Sequence, residues 1–279
     1  MASSQFLTVN GLKLHYLDFG SEQKPALVCI HGLSGNSHSF DELATHLADW
    51  YHVISLDVRG RGDSAWGPPG DYNASVYVSD LAAMLDRLTI DRVTLIGTSM
   101  GGVISMMYAG GYPERVERLV LNDIGPEVDA TGARRIGNYL NTAPSDFANL
   151  PEVAEYYRQN YPSLQQMSVD ALLDHVKWAV KPAPGGRLTW KMDPAIRNVP
   201  RTGSEARPMD LWVQYARISA PVLAIRGAAS DILSRATAER MAIVQRRTRI
   251  VEVPDVGHAP SLLEPDALAA ITDFLRPRT

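Results

Sequence analysis

The sequence predicts an α/β fold: a mostly parallel, eight-stranded sheet with helices on both faces and a helical cap inserted into it. Three observations carry this. Between residues 26 and 122, short apolar runs alternate with stretches of helical periodicity, the pattern of strands buried on both faces by crossover helices. From about residue 125 to 215 the alternation stops, in a segment holding nine of the 18 prolines, and it resumes at Pro221. At residues 93–102 a strand-like run enters Gly97-Thr98-Ser99-Met100-Gly101, a G-x-S-x-G pentapeptide, and a helical pattern follows at once. The division read from these signals is a core of residues 1–125 and 216–279, with a cap of residues 126–215 between the sixth and seventh strands.

Taken in order, residues 6–9 and 13–18 flank Asn10-Gly11, the dipeptide that favours a two-residue hairpin turn. Ala26–Ile30 is a continuously apolar strand ending at His31-Gly32-Leu33-Ser34-Gly35, with helical residues from there to about Trp50. A strand at 53–56 leads into a loop rich in glycine and proline at 57–70. The next helix carries Tyr77, Leu81, Met84, Leu85 and Leu88 on one face. Strand 93–96, a helix from Met100 to about Gly110 and strand 118–122 complete the first half. Beyond the cap come strand 221–225, a helix N-capped by Ser234 and running to about Gln245, strand 249–253, and a helix opened by Pro265 and running to Leu275.

The turn at residue 99 is so sharp that its neighbours must have almost no side chain, which Gly97 and Gly101 satisfy. Ser99 then stands at a helix N-terminus, where amides and the dipole favour a developing negative charge, so it is the candidate nucleophile. A serine hydroxyl needs a histidine to take its proton and a carboxylate to orient that histidine. Of the seven histidines, His258 lies in the loop after the last strand, at the edge where such sheets place their sites. Asp231, in the loop after strand 221–225, gives the order Ser, Asp, His, and is the expected acid. Asp123, just past strand 118–122, and Asp255, three residues before His258, are the competing carboxylates, read instead as caps of a loop or turn. The oxyanion donors are expected to be the backbone N–H groups of Met100 and Leu33. His31 is read as a structural residue that holds its loop.

These residues resemble the α/β-hydrolase family: His31-Gly32, the Gly97–Gly102 elbow, Asp231 and Gly257-His258 all match, and the similarity covers nearly the full chain. The resemblance implies the α/β-hydrolase fold, a cap over the C-terminal edge of the sheet, a Ser-Asp-His mechanism and no cofactor. The loop Asp57-Val58-Arg59-Gly60-Arg61-Gly62-Asp63-Ser64 also resembles one frequent in the family, where it is largely architectural. Within the family the chain is most similar to small capped carboxylesterases, which implies hydrolysis of a small-molecule ester through an acyl-enzyme. Thioester, lactone or C–C bond cleavage would use the same machinery, and a non-catalytic receptor is the reading from another class. Meta-cleavage C–C hydrolases usually carry a bulky aromatic after the histidine, where this chain has Ala259.

Charge and composition narrow the partners. The net charge of −4 and pI near 6.0 provide no basic field for nucleic acid or anionic lipid. The single cysteine, Cys29, excludes an internal disulfide, and neither a leader nor a membrane span is legible, so a cytoplasmic location is expected. No metal-ligand motif is present, and the dinucleotide-like Gly60-Arg61-Gly62-Asp63-Ser64-Ala65 is followed by Trp66-Gly67-Pro68-Pro69-Gly70, which cannot open a helix. Tyr139, Trp178 and Trp190 are the cap aromatics expected to line a substrate pocket. The cap's ten basic and ten acidic residues point to a neutral, apolar substrate. Nothing in the sequence decides between a monomer and a homodimer.

Overall fold

The computed structural model describes residues 2–161, 164–165, 167–198 and 210–276. Its first two strands, β1 (Ser3–Val9) and β2 (Leu12–Asp18), pair antiparallel. Asn10 and Gly11 between them both have positive φ, 48° and 74°, the mirror-image turn whose twist suits a hairpin. β3 (Ala26–Ile30), β4 (His52–Leu56), β5 (Val93–Thr98), β6 (Val116–Asn122), β10 (Val222–Gly227) and β11 (Thr248–Val253) complete an eight-stranded sheet of order β1-β2-β4-β3-β5-β6-β10-β11. From β4 onward every pairing in it is parallel.

Period-two alternation sorts the apolar strands between two layers. Val28, Ile30, Leu95, Leu119 and Leu121 face α2 (Ala74–Arg87) and α3 (Met100–Gly111). Leu27, Cys29, Ile96, Val120 and Ile225 face α1 (Asp41–Leu47) and α9 (Pro265–Leu275). Both faces are dry, which is why these strands read as unbroken apolar runs. Local signals place the helices: Asn73 accepts from the Val76 N–H to start α2, and Ser234 from the Thr237 N–H to start α8 (Arg235–Val244). The register aligns the strand ends. Ile30 pairs with Gly97, Thr98 with Asn122, and Asn122 with Ile225, so the loops leaving β3, β5, β6 and β10 emerge at one edge.

Between β6 and β10 lie α4 (Ala130–Thr142), α5 (Leu150–Asn160), α6 (Val169–Val176) and α7 (Leu211–Ala216). This segment is not purely helical. Strands β7 (Asp146–Phe147), β8 (Val180–Pro182) and β9 (Leu188–Trp190) form a second antiparallel sheet of order β7-β9-β8. Strands of two or three residues are too short to show alternation, so the sequence hides them. α7, counted with the cap in the sequence reading, packs on α3 of the core, where a Cβ on Gly110 would overlap the Gln214 carbonyl. Residues 199–209 of the expected cap lie outside the described residues. Among the described residues no helix is long and apolar enough to cross a membrane.

Candidate active site

β5 delivers Ser99 to the shared edge through a turn that only glycines permit. Ser99 has φ 50° and ψ −113°, left-handed backbone of the kind that costs about 1–3 kcal/mol for a non-glycine residue. A Cβ on Gly97 would overlap the Gly101 carbonyl oxygen, and one on Gly101 the Ile30 carbonyl oxygen, so helix and strands approach at backbone contact distance. The Ser99 N–H is anchored to the Asn122 carbonyl at 3.0 Å. No side chain caps α3, which leaves its first amides open at the serine.

The His258 loop is fastened from two sides. Asn122 Nδ2 donates to the Pro260 carbonyl at 2.9 Å, and the Ala229 N–H donates to the Val256 carbonyl at 2.9 Å. So held, His258 Nε2 lies 3.0 Å from Ser99 Oγ and Nδ1 lies 2.8 Å from Asp123 Oδ2. Asp123 is fully buried, while the imidazole keeps 10% of its surface exposed. If Nδ1–H donates to Asp123, Nε2 is the acceptor facing the serine hydroxyl, the tautomer a general base requires.

The carboxylate on His258 is therefore Asp123, and the expectation of Asp231 is corrected. The loop after β10 turns Ser230, not Asp231, toward the histidine side: Ser230 Oγ donates to Asp123 Oδ2 at 2.6 Å and accepts from the Ile232 and Leu233 N–H groups, both at 3.1 Å. The Gly227 N–H fills Asp123 Oδ1 at 2.9 Å. Asp231 turns outward to the cap, where Arg135 grips it through Nε and Nη2, both at 2.7 Å. Those two bonds hold the Asp231 carboxyl below the usual carboxylate range against partial burial, with the nearby His258 adding a smaller push the same way. The signal for Asp123 was in the sequence, an aspartate one residue past a strand at the right edge, and chain order does not separate it from Asp231, since both lie between Ser99 and His258.

Met100 follows Ser99 at the start of α3, and Leu33 follows Gly32 in the loop after β3. Gly32 approaches the serine so closely that a Cβ there would sit 3.7 Å from Ser99 Cβ. Among the described residues neither the Leu33 N–H nor the Met100 N–H donates to a protein acceptor. Behind them lies a residue the sequence reading left as architecture. Arg61, 1% exposed, donates to the Leu33 carbonyl at 3.2 Å and to Tyr77 Oη at 2.8 Å, and its Nη2 meets Met100 Sδ at 3.3 Å. One buried guanidinium thus braces both expected oxyanion residues.

His31 braces the same loop in its neutral form. The Val58 N–H donates to its Nε2 at 3.1 Å, so Nδ1 carries the hydrogen it gives to the Gly32 carbonyl at 2.6 Å. Burial pushes its pKa down to about 4, against a smaller upward pull from Asp57. An unfolded chain protonates this histidine near pH 6.5, the folded one only near 4. Its contribution to stability is thus complete above pH 6.5 and is lost as the pH falls toward 4, about 3 kcal/mol in all. Urea unfolding at pH 7, 5.5 and 4.5 should show that margin shrinking in the wild type and a flatter profile in His31→Gln.

The expected substrate aromatics divide. Trp190 is buried, packing on Phe147 at 5.0 Å and Tyr156 at 5.5 Å between ring centroids, in the same apolar cluster as one face of the main sheet. Trp178 stacks on His38 at 3.6 Å. Tyr139 lines a cleft of about 420 Å³ between α4 and α5 and tilts against Tyr161, which donates to Ser34 Oγ beside the oxyanion loop. His15, Asp57 and Asp63 bring three ligand atoms together as a metal site would, but His15 and Asp57 bond each other and Asp63 pairs with Lys191 at 2.7 Å.

Comparison with known proteins agrees with this fold. The alpha/beta hydrolase fold family matches residues 25–265. A 3-hydroxybutyrate-oligomer hydrolase from Cupriavidus necator is 35% identical over 94% of this chain and 92% of its own. An alpha/beta hydrolase from Novosphingobium aromaticivorans superposes with a TM-score of 0.89 at 33% identity, covering 98% of both chains. E-2-(acetamidomethylene)succinate hydrolase superposes with a TM-score of 0.86 at 26% identity, covering 99% of both chains.

Proposed function

We infer that this chain, which belongs to the α/β-hydrolase fold family, is a serine hydrolase that cleaves carboxylic esters of small, largely apolar substrates through an acyl-enzyme on Ser99. The observation that carries the reading is the relay of Asp123, His258 and Ser99, with consecutive contacts of 2.8 and 3.0 Å. His258 Nε2 takes the Ser99 proton as Oγ attacks the ester carbonyl, and Asp123 stabilises the imidazolium. The Leu33 and Met100 amides receive the negative charge on the former carbonyl oxygen. His258 returns its proton to the leaving alcohol, and a water deprotonated by the same nitrogen then releases the acid.

The relative from Cupriavidus necator supports the ester bond in particular, since a hydroxy acid such as 3-hydroxybutyrate oligomerises through ester linkages. Another relative is named for a succinate derivative and a third as an enol-lactonase, so relatives of this chain are named for different bonds. A fluorophosphonate probe tests the reading. Labelling is expected on the wild-type protein and its absence on Ser99→Ala and His258→Ala. A folded wild type that takes no label overturns the serine-hydrolase reading in favour of a binding protein. Among substrates, 4-nitrophenyl esters should be turned over faster than a thioester, a lactone or a vinylogous diketone, and a strong preference for the diketone overturns the ester assignment.

A further inference from the structure

The cleft between α4 and α5 has a composition that the apolar-substrate expectation does not account for. Its volume of about 420 Å³ falls within the roughly 300–1,000 Å³ of ligand sites, and its walls carry Arg134, Arg135, Asn138, Gln159 and Tyr139. The spacing of residues 131, 134, 135, 138 and 142 puts one face of α4 along the cleft. Two cations there meet one anion. Asp231 engages Arg135 through Nε and Nη2 and leaves its Nη1 uncommitted, whereas Arg134 has no ion-pair partner among the described residues. The nearby carboxylates have other duties: Asp129 caps α4 through the Thr131 N–H, and Glu155 accepts from Gln159. Arg134 and Arg135 are thus the charged side chains of the lining itself, and Asp231, bonded to Arg135, lies outside it.

Two residues of the cleft's α4 wall, Arg135 and Tyr139, contact side chains that lead to the candidate site. On one side Arg135 holds Asp231, whose neighbour Ser230 donates to Asp123. On the other, Tyr139 packs on Tyr161, and Tyr161 donates to Ser34 next to Leu33. The α4 wall is therefore tied on one side to the loop carrying Ser230 and on the other, through Tyr161, to the loop carrying Ser34.

We propose that this cleft is a subsite for a carboxylate, and that the preferred substrates are esters with an apolar body whose far end is a free carboxylate. The inference rests on the serine-hydrolase reading for the reaction, but not for the binding. A planar guanidinium offers paired N–H donors matched to a carboxylate, and Asn138 adds a neutral donor. This refines the neutral substrate read from the cap's charge balance: the charges balance over the segment but not within the cleft.

The test compares 4-nitrophenyl hydrogen glutarate with the uncharged 4-nitrophenyl pentanoate. In the wild type the ratio of kcat/KM, anionic over neutral, is expected to exceed one and to fall as salt is added. In Arg134→Ala, an exposed position whose substitution leaves the core intact, it should fall about ten-fold. The same ratio in Arg135→Ala separates binding from cap docking, since loss of docking alone lowers both rates together and leaves the ratio unchanged. An unchanged ratio in both variants overturns the proposal. Glutarate binding to Ser99→Ala, followed by calorimetry, needs no catalysis. Saturable binding that weakens in Ser99→Ala/Arg134→Ala supports the subsite even if no ester is turned over, and absent binding beside normal pentanoate hydrolysis overturns it while the hydrolase reading stands.

Discussion

Asp123→Asn is expected to lower kcat about 10⁴-fold on any ester the protein hydrolyses, with the fold intact, while Asp231→Asn keeps activity within about ten-fold of wild type. The amide of an asparagine keeps the shape of the carboxylate, and its oxygen, in the Oδ1 place, can still accept from the Gly227 N–H, while its NH₂ takes the Oδ2 place beside Ser230 Oγ. Its NH₂ then faces His258 Nδ1, which selects the tautomer with hydrogen on Nε2. That nitrogen can no longer take the Ser99 proton, and the fully buried position admits no water to restore the balance. Asp231→Asn instead weakens the pair with Arg135, which is part-exposed and contributes little by itself. Steady-state kinetics on one 4-nitrophenyl ester checks both. If Asp231→Asn is the crippled variant, the assignment of the acid is wrong.

The second large effect concerns stability. Gly101→Ala should cost about 3 kcal/mol or more of the 5–15 kcal/mol typical of a domain, lowering the melting temperature by roughly 10 °C, or should leave no soluble protein. The added methyl meets the Ile30 carbonyl, and neither partner is a side chain that can rotate away. The strain of Ser99 is held by this same contact, so any folded fraction should label poorly with a fluorophosphonate. Gly111→Ala, at the far end of the same helix, is the control. Nothing lies within 4 Å of a Cβ there, and the change should leave stability unchanged or raise it by up to about 1 kcal/mol. Equal thermal shifts in the two variants would show that helix propensity, not the close approach, decides the outcome.

The two variants separate what chain order reveals from what it conceals. Ser99, its glycines and the strand before it were legible because the turn is local: steric demand at residue 99 dictates its immediate neighbours, and five consecutive residues record it. His258 was legible from a looser rule, a histidine after the last strand. Leu33 follows from the strand end at Ile30. The acid was not legible, because Asp123 and Asp231 both sit just past a strand at the same edge of the sheet. What distinguishes them is which way each side chain turns once β6 and β10 are adjacent. Arg135, 96 residues before Asp231 in the chain, settles it by drawing Asp231 outward. The brace from Arg61 was hidden for the same reason, since its contacts to Leu33, Tyr77 and Met100 span up to 39 residues.

By itself, then, the sequence determined the layered sheet, its hairpin entry, the sharp elbow and the edge to which Ser99 and His258 come, all of which follow from backbone sterics, periodicity and apolar burial acting over a few residues. Tertiary structure alone decided which carboxylate faces the histidine, the short strands between β6 and β10 and the arginine-lined cleft between α4 and α5. Each of these depends on charges and hydrogen bonds between segments far apart in the chain, and such pairings become defined only when the strands lie side by side.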